Sequence, residues 1–141
     1  MSWTGSAATA GFTSGTPYRS LSTNVGTFNV AAQQADPTSL LAFYKSMLAL
    51  RNGFPSIASG AYENVAVNGS VMSFQRRLGS ERTVVAINYG TGAANAAVAG
   101  LPANATLASA YPALAANVLA NASGQASVAL AGQSVRVFSV P

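Results

Sequence analysis

The chain has 141 residues, half of them apolar, with only 7% charged and a formal net charge of +4. That length suits one domain, which at this size withdraws about 68–70% of the unfolded surface from water, while Asn, Ser, Gly and Pro break every apolar run before the roughly 18 residues a membrane span requires. With neither Cys nor His, the chain excludes disulfides, thiolate and imidazole metal sites, and Ser-His-Asp or Cys-His catalysis.

Three carboxylates remain, Asp36, Glu63 and Glu81, few for an oxygen-ligand metal cage or a carboxylate hydrolase. No metal, no cofactor and no catalytic residue is therefore expected in this chain. The cations are scattered. Arg76, Arg77 and Arg82 form their one cluster, and with no aromatic stacking platform beside it this reads as the solvated rim of a hairpin rather than a nucleic-acid surface. Residues 1–20 contain Arg19 and no Leu or Val block, so neither a secretory nor a transit segment is read there, and the compartment stays open.

In chain order, residues 1–35 open with "MSWTGSAATAGFTSGTPYRSL", in which Trp3, Phe12 and Tyr18 stand among Gly, Ser and Thr without an apolar period. This composition predicts an irregular arm that needs a surface from elsewhere, since long structureless segments are rare inside compact domains. "ADPTSLLAFYKSMLALRNG" predicts a helix over 37–52, with Asp36 as N-cap, Pro37 at the first helical position and Gly53 as the stop. Its apolar residues cover well over a third of the circumference, so it is expected to pack on more than one side.

From Glu63 the period changes to two, and "ENVAVNGSVMSFQRRLGSERTVVAINYG" predicts three antiparallel strands, with Asn68-Gly69 as a type I′ turn and "LGSER" as the next. Met72, Phe74 and Leu78 are expected on the core face of the second strand, with Ser73, Gln75 and Arg77 opposite. Short strands are predicted near 95–99, 105–111, 116–120 and 126–130, and "QSVRVFSV" closes the chain as another. The expected fold is mainly β, a two-layer antiparallel β-sandwich preceded by an irregular arm and one long α-helix. Asn68, Asn104 and Asn121 match glycosylation acceptors only in form.

Specific motifs accompany these elements. Met1 with Trp3, the stretch Ala10 to Tyr18, then Asn29, Val30 and Gln33 or Gln34, then Asp36, Pro37 and Ser39 resemble a segment of glycoside hydrolase family 13. In that family the segment follows the eighth strand of a TIM barrel and runs through the last barrel helix. The α-glucosidase, oligo-1,6-glucosidase and trehalose-synthase-like branch has the nearest wording. "VMSFQRRLGSERTVVAINYG" and "SVRVFSV" are similar to that family's C-terminal Greek-key sandwich, domain C.

The resemblance implies residues 1–57 as a remnant of the catalytic barrel and 58–141 as the C-terminal sandwich. It further implies a non-catalytic piece of a retaining α-glycoside hydrolase whose nucleophilic Asp, acid/base Glu and second Asp lie on barrel strands outside this segment. Thr4 stands where the family commonly has an acidic residue. Two roles are open to Trp3, Phe12 and Tyr18, stacking on the glucosyl rings of an α-glucan or oligosaccharide and packing against the barrel mouth. A helix over 37–52 without its barrel predicts a homo-oligomer through that helix and the N-terminal arm. An independent carbohydrate-binding or structural sandwich module is the competing reading.

Overall fold

The computed structural model describes residues 1–141, which divide into two units, Met1–Ala49 and Leu50–Pro141. In the first unit the arm is more ordered than its composition predicts. Ala10 and Gly11 both take left-handed backbone (φ 48° and 75°), and the resulting turn brings the Ala10 carbonyl to the amides of Trp3 (2.8 Å) and Thr4 (3.1 Å). A side chain on Gly11 would meet Thr4 Oγ1 at 2.9 Å, so turn and neighbour both demand glycine there.

A helix unforeseen in the sequence follows, α1 (Val30–Ala35). Its leading amides all find partners outside the helix. Ser2 and Trp3 carbonyls accept from Val30 and Ala31 (3.0 Å each), and Asn29 Oδ1 accepts from Ala32 at 2.9 Å. Six residues would not hold helical form alone; the arm completes the hydrogen bonds that a helix start leaves open.

The long helix, α2 (Leu40–Gly53), starts three residues later than predicted. Ser39, not Asp36, is its cap, with Ser39 Oγ accepting from the Ala42 amide at 3.2 Å and Gln33 Oε1 accepting from Leu41 at 3.1 Å. Asp36 instead closes a turn on Thr38, accepting from its hydroxyl (2.7 Å) and amide (2.8 Å). Those bonds, the hydroxyl's first, hold the Asp36 carboxyl below the usual carboxylate value. A depressed value stabilises the fold above the unfolded pKa, and the contribution is lost as pH falls through the folded one. Asp36→Asn, which keeps an acceptor but loses the charge, is expected to lower neutral-pH stability by that contribution and to flatten the acid limb of a stability–pH profile.

The C-terminal end of α2 also departs from prediction. Gly53 is its last helical residue, and the chain leaves the helix at Phe54, extended at φ −121°. Pro55 is the reason, because its ring disfavours helical backbone in the residue before it. Pro55 then opens α3 (Pro55–Ser59).

The rest of the second unit is mainly β. Eight strands follow, β1 (Ala61–Asn68), β2 (Val71–Leu78), β3 (Glu81–Asn88), β4 (Ala94–Val98), β5 (Thr106–Tyr111), β6 (Val118–Leu119), β7 (Ala126–Leu130) and β8 (Ser134–Val140). They form a six-stranded sheet in the order β1-β2-β3-β8-β5-β6 and a two-stranded sheet of β4 and β7. Every pairing is antiparallel. A tight turn joins β1 and β2 as predicted, but it is not the type I′ turn on Asn68-Gly69: Asn68 pairs with Val71 in the ladder, the turn residues are Gly69 and Ser70, and Gly69 alone has positive φ (57°). The core lies between the sheets, with Val84, Ala86, Leu107, Phe138 and Val140 from one and Ala96, Val98, Val128 and Leu130 from the other.

The polarity of β2 is opposite to the prediction. Val71, Ser73 and Gln75 are buried, whereas Met72 and Phe74 are only half-buried on the other face and Leu78 is exposed. The physical reason is β4, which pairs only with β7 and so keeps carbonyls in need of donors. Ser73 Oγ donates to Ala97 O (2.7 Å) and Gln75 Nε2 to Ala99 O (2.6 Å). The small Ala side chains of β4 allow that close approach.

Glu81, expected as a plain turn charge, anchors α3. Its Oε1 accepts from the Ser56 amide at 2.7 Å, and Ser56 Oγ shares a hydrogen bond with Thr83 Oγ1 at 3.1 Å. A carboxylate at a helix start satisfies an open amide. Glu81→Ala is expected to lower unfolding stability by about 1–2 kcal/mol, whereas Glu63→Ala stays within about 0.5 kcal/mol; equal losses in a urea titration would refute the anchoring role.

Candidate functional site

Of the three arm aromatics open to sugar contact or packing, two come together. Phe12 and Tyr18 line one cleft of about 550 Å³ in the first unit, with Pro17, Arg19, Asn24 and Phe28. Trp3 is not among its lining residues. Trp3 is half exposed (48%), and its backbone is committed to Ala10 and Ala31. Tyr18 is fully exposed, and Phe12 and Phe28 are exposed as well.

The cleft is within the roughly 300–1,000 Å³ typical of small-molecule sites. Its aromatic faces suit apolar ring surfaces, and Arg19 brings donors. Ser22 Oγ donates to Asn24 Oδ1. Such a wall can grip a hydroxyl-rich ring, and no carboxylate is among its lining residues. Sequence reading missed Arg19, Asn24 and Phe28 as lining groups. Phe28 was the legible one, a further aromatic in an otherwise small-residue arm.

Two of the three carboxylates are engaged locally, Asp36 with Thr38 and Glu81 with Ser56, while Glu63 stands on β1 opposite Gln75 in the strand register. No group of three or more His, Cys, Asp or Glu gathers to hold a metal ion. No helix is long and apolar enough to cross a membrane. The arginine cluster is drawn to the protein's own groups. Arg76 stacks over the Tyr62 ring at 3.9 Å, Arg77 Nε donates to Gly79 O at 3.2 Å, and Arg82 Nη1 donates to Gly100 O at 2.6 Å.

The residues that carry the motif resemblance turn out to be structural. Asn29 caps α1, Gln33 and Ser39 cap α2, and Ala10-Gly11 form the left-handed turn. By contrast, α2 has no buried residue along its 14 positions. Leu40, Tyr44 and Leu48, four residues apart on one face, are 65%, 59% and 57% exposed. An apolar helix face so open marks an interaction surface rather than a finished exterior.

Comparison with known proteins agrees with these features. Residues 1–60 match the family model of the α-amylase catalytic domain. The chain is 37% identical over 84 residues to a probable α-glucosidase of Rhizobium meliloti (strain 1021), covering 60% of this chain and 15% of that protein. It is 33% identical over 90 residues to the oligo-1,6-glucosidase of Parageobacillus thermoglucosidasius, covering 63% and 16%. Among solved structures, the trehalulose synthase of Pseudomonas mesoacidophila MX-45 superposes with a TM-score of 0.74 at 26% identity, over 99% of this chain and 24% of that one. This chain thus spans about 15% of the length of its curated relatives. Its likeness is to glycoside hydrolase family 13, the α-amylase family, and within it to the α-glucosidases and oligo-1,6-glucosidases.

Proposed function

We propose that this chain is a non-catalytic part of a retaining α-glucosidase-type enzyme, in which residues 1–57 complete the catalytic barrel and 58–141 form a sandwich that supports it. The observation that carries this is the uncovered α2, an apolar helix within the segment matched by the catalytic-domain model yet without a buried residue. A helix of that kind belongs against further protein. No carboxylate lines the cleft, which supports the non-catalytic assignment, because retention requires two carboxyls about 5–5.5 Å apart across a sugar cleft. The whole enzyme would act on α-glucosidic bonds with acids supplied outside these residues.

Purified chain is expected to leave p-nitrophenyl α-glucoside and maltose intact. A chimera in which it replaces the matching region of the α-glucosidase relative is expected to hydrolyse both. Turnover by the chain alone would overturn the non-catalytic assignment, and an inactive chimera would overturn the supporting role.

When separated from a barrel, the chain is a homo-oligomer through α2 and the arm, since burying the Leu40–Tyr44–Leu48 face against another copy removes the same apolar surface from water.

The cleft supports a second role for the arm, contact with an α-glucan or oligosaccharide by Phe12 and Tyr18, with Trp3 outside the cleft serving the arm's packing. Maltose or isomaltose is expected to quench or shift tyrosine fluorescence at millimolar concentration, and Tyr18→Ala with Phe12→Ala to abolish the change. Retention of the signal in the double variant would remove sugar contact from these residues.

A further inference from the structure

Two Asn-Gly pairs stand on the surface, Asn52-Gly53 and Asn68-Gly69. Every other asparagine of the chain is followed by Val, Ala or Tyr. The distinction is chemical: glycine has no side chain to shield its backbone nitrogen, and that nitrogen can close a five-membered ring on the side-chain amide of the residue before it. All four residues are exposed, and no hydrogen bond holds either asparagine side chain. A Cβ built on either glycine would meet nothing within 4 Å. Access therefore does not separate the two pairs, but their backbones do.

Gly53 is the last helical residue of α2, so its amide is committed to the helix ladder, and the next amide, that of Phe54, donates to Leu50 O at 2.9 Å. For the Gly53 nitrogen to reach the Asn52 side chain, that final turn must open. Gly69 lies instead at the tip of the β1–β2 hairpin, just after Asn68, which pairs with Val71 in the ladder. It has φ 57°, and its amide donates to no group. Asn68 is the last residue of β1, the edge strand of its sheet. The tip can therefore rotate with a single ladder attached to it and no core side chain displaced.

We infer that Asn68 is a site of self-modification, at which the folded chain converts its own side-chain amide into an acid, with water as the co-reactant. The Gly69 nitrogen attacks Asn68 Cγ. The new N–Cγ bond forms, the Cγ–Nδ2 bond breaks, and ammonia leaves with the proton of the Gly69 amide. Water then opens the cyclic imide. Attack at Cγ gives aspartate, and attack at the Asn68 backbone carbonyl gives an isoaspartyl link in which the chain runs through the side chain. Either product places a carboxylate at the hairpin tip and lowers the formal net charge of +4 by one. The isoaspartyl product also adds a methylene to the backbone beside the Asn68–Val71 pair.

The test incubates the intact chain in mildly alkaline buffer at physiological temperature and follows the amide-to-acid mass change with time. Cleavage after Glu63 by a glutamate-specific protease puts Asn52 and Asn68 on different peptides. Asn68 is expected to convert at least about tenfold faster than Asn52, because two helix hydrogen bonds must open at the Asn52 site and none is broken at the Gly69 amide. An isoaspartate methyltransferase is expected to label the Asn68 peptide as it accumulates. In chain unfolded by urea the two rates are expected to converge, since the dipeptides are the same. Asn68→Gln, whose longer side chain would have to close a six-membered ring, is expected to abolish the change at that position. Equal rates in the folded chain, a faster Asn52, or an Asn68 that reacts only in urea would overturn the inference. A rate ratio that persists in urea would overturn the part assigned to the hairpin.

Discussion

Asn88→Ala is expected to cost about 2–4 kcal/mol of unfolding stability, because it removes three part-buried hydrogen bonds worth about 0.5–1.5 kcal/mol each. Asn88 is 1% exposed at the end of β3. Its Nδ2 donates to Gly92 O (2.7 Å) and Ala131 O (2.9 Å), and its Oδ1 accepts from the Gly90 amide (2.9 Å). One amide thus ties the β3–β4 connection to the β7–β8 connection, 43 residues away along the chain. Since domains of this kind are stable by only about 5–15 kcal/mol, the loss would consume a large fraction of the total. Asn88→Asp is expected to fare no better, as its carboxylate would face two carbonyl oxygens that need donors. Ser70→Ala, which removes only the 3.4 Å contact to Asn88 Oδ1, is expected to change little. Urea midpoints at fixed protein concentration and unchanged m-value measure all three. A loss below about 1 kcal/mol for Asn88→Ala would show that the loops hold each other without it.

The second large effect concerns assembly. Isolated chain is expected to self-associate at micromolar concentration, and Leu40→Glu with Leu48→Glu to make it monomeric. Each leucine contributes about 1.5–3 kcal/mol on full burial. Two from each of two helices therefore amount to a weakening well beyond about a hundredfold, at 1.4 kcal/mol per decade. Lys45→Glu, which changes charge on the same helix without removing apolar area, is expected to leave association nearly intact. Sedimentation velocity across a concentration series reads the outcome. Monomer alone for the unmutated chain at tens of micromolar would refute self-association through α2.

Local chemistry was legible wherever a signal and its cause lie within a few residues. A turn at Gly69 was legible because glycine takes the one positive φ needed there, though its partner in the turn is Ser70 and not Asn68, and β1–β3 and β8 follow from period two. α2 was visible from its 3.6-residue period, but its ends were not. Asp36-Pro37 carries a helix-start signal, yet Thr38 captures the Asp36 carboxylate first, and Ser39 and Gln33 take over the capping. At the other end Pro55 overrides Gly53. In each case two local signals competed within five residues, and the nearer hydrogen bond or the harder steric rule prevailed.

For the site, the aromatics of the arm were visible as residues but not as a cleft. Phe12, Tyr18 and Phe28 share one wall only because Ala10-Gly11 turns the chain back on Trp3 and Thr4, and nothing in the spacing of the three rings encodes that reversal.

What the sequence by itself determined is the class of protein: a chain without thiol or imidazole side chains, a mainly β architecture, and an ordered string of motifs that resembles one family. Composition and short-range periodicity suffice for those, since each depends on residue type or on neighbours a few positions away. Which face of the sheet is core was decided by tertiary structure alone. Ser73 and Gln75 are buried because the carbonyls of Ala97 and Ala99, 24 residues onward, need their donors. A buried polar group is tolerable only when a partner stands opposite it, and such a partner belongs to another strand rather than to the local pattern.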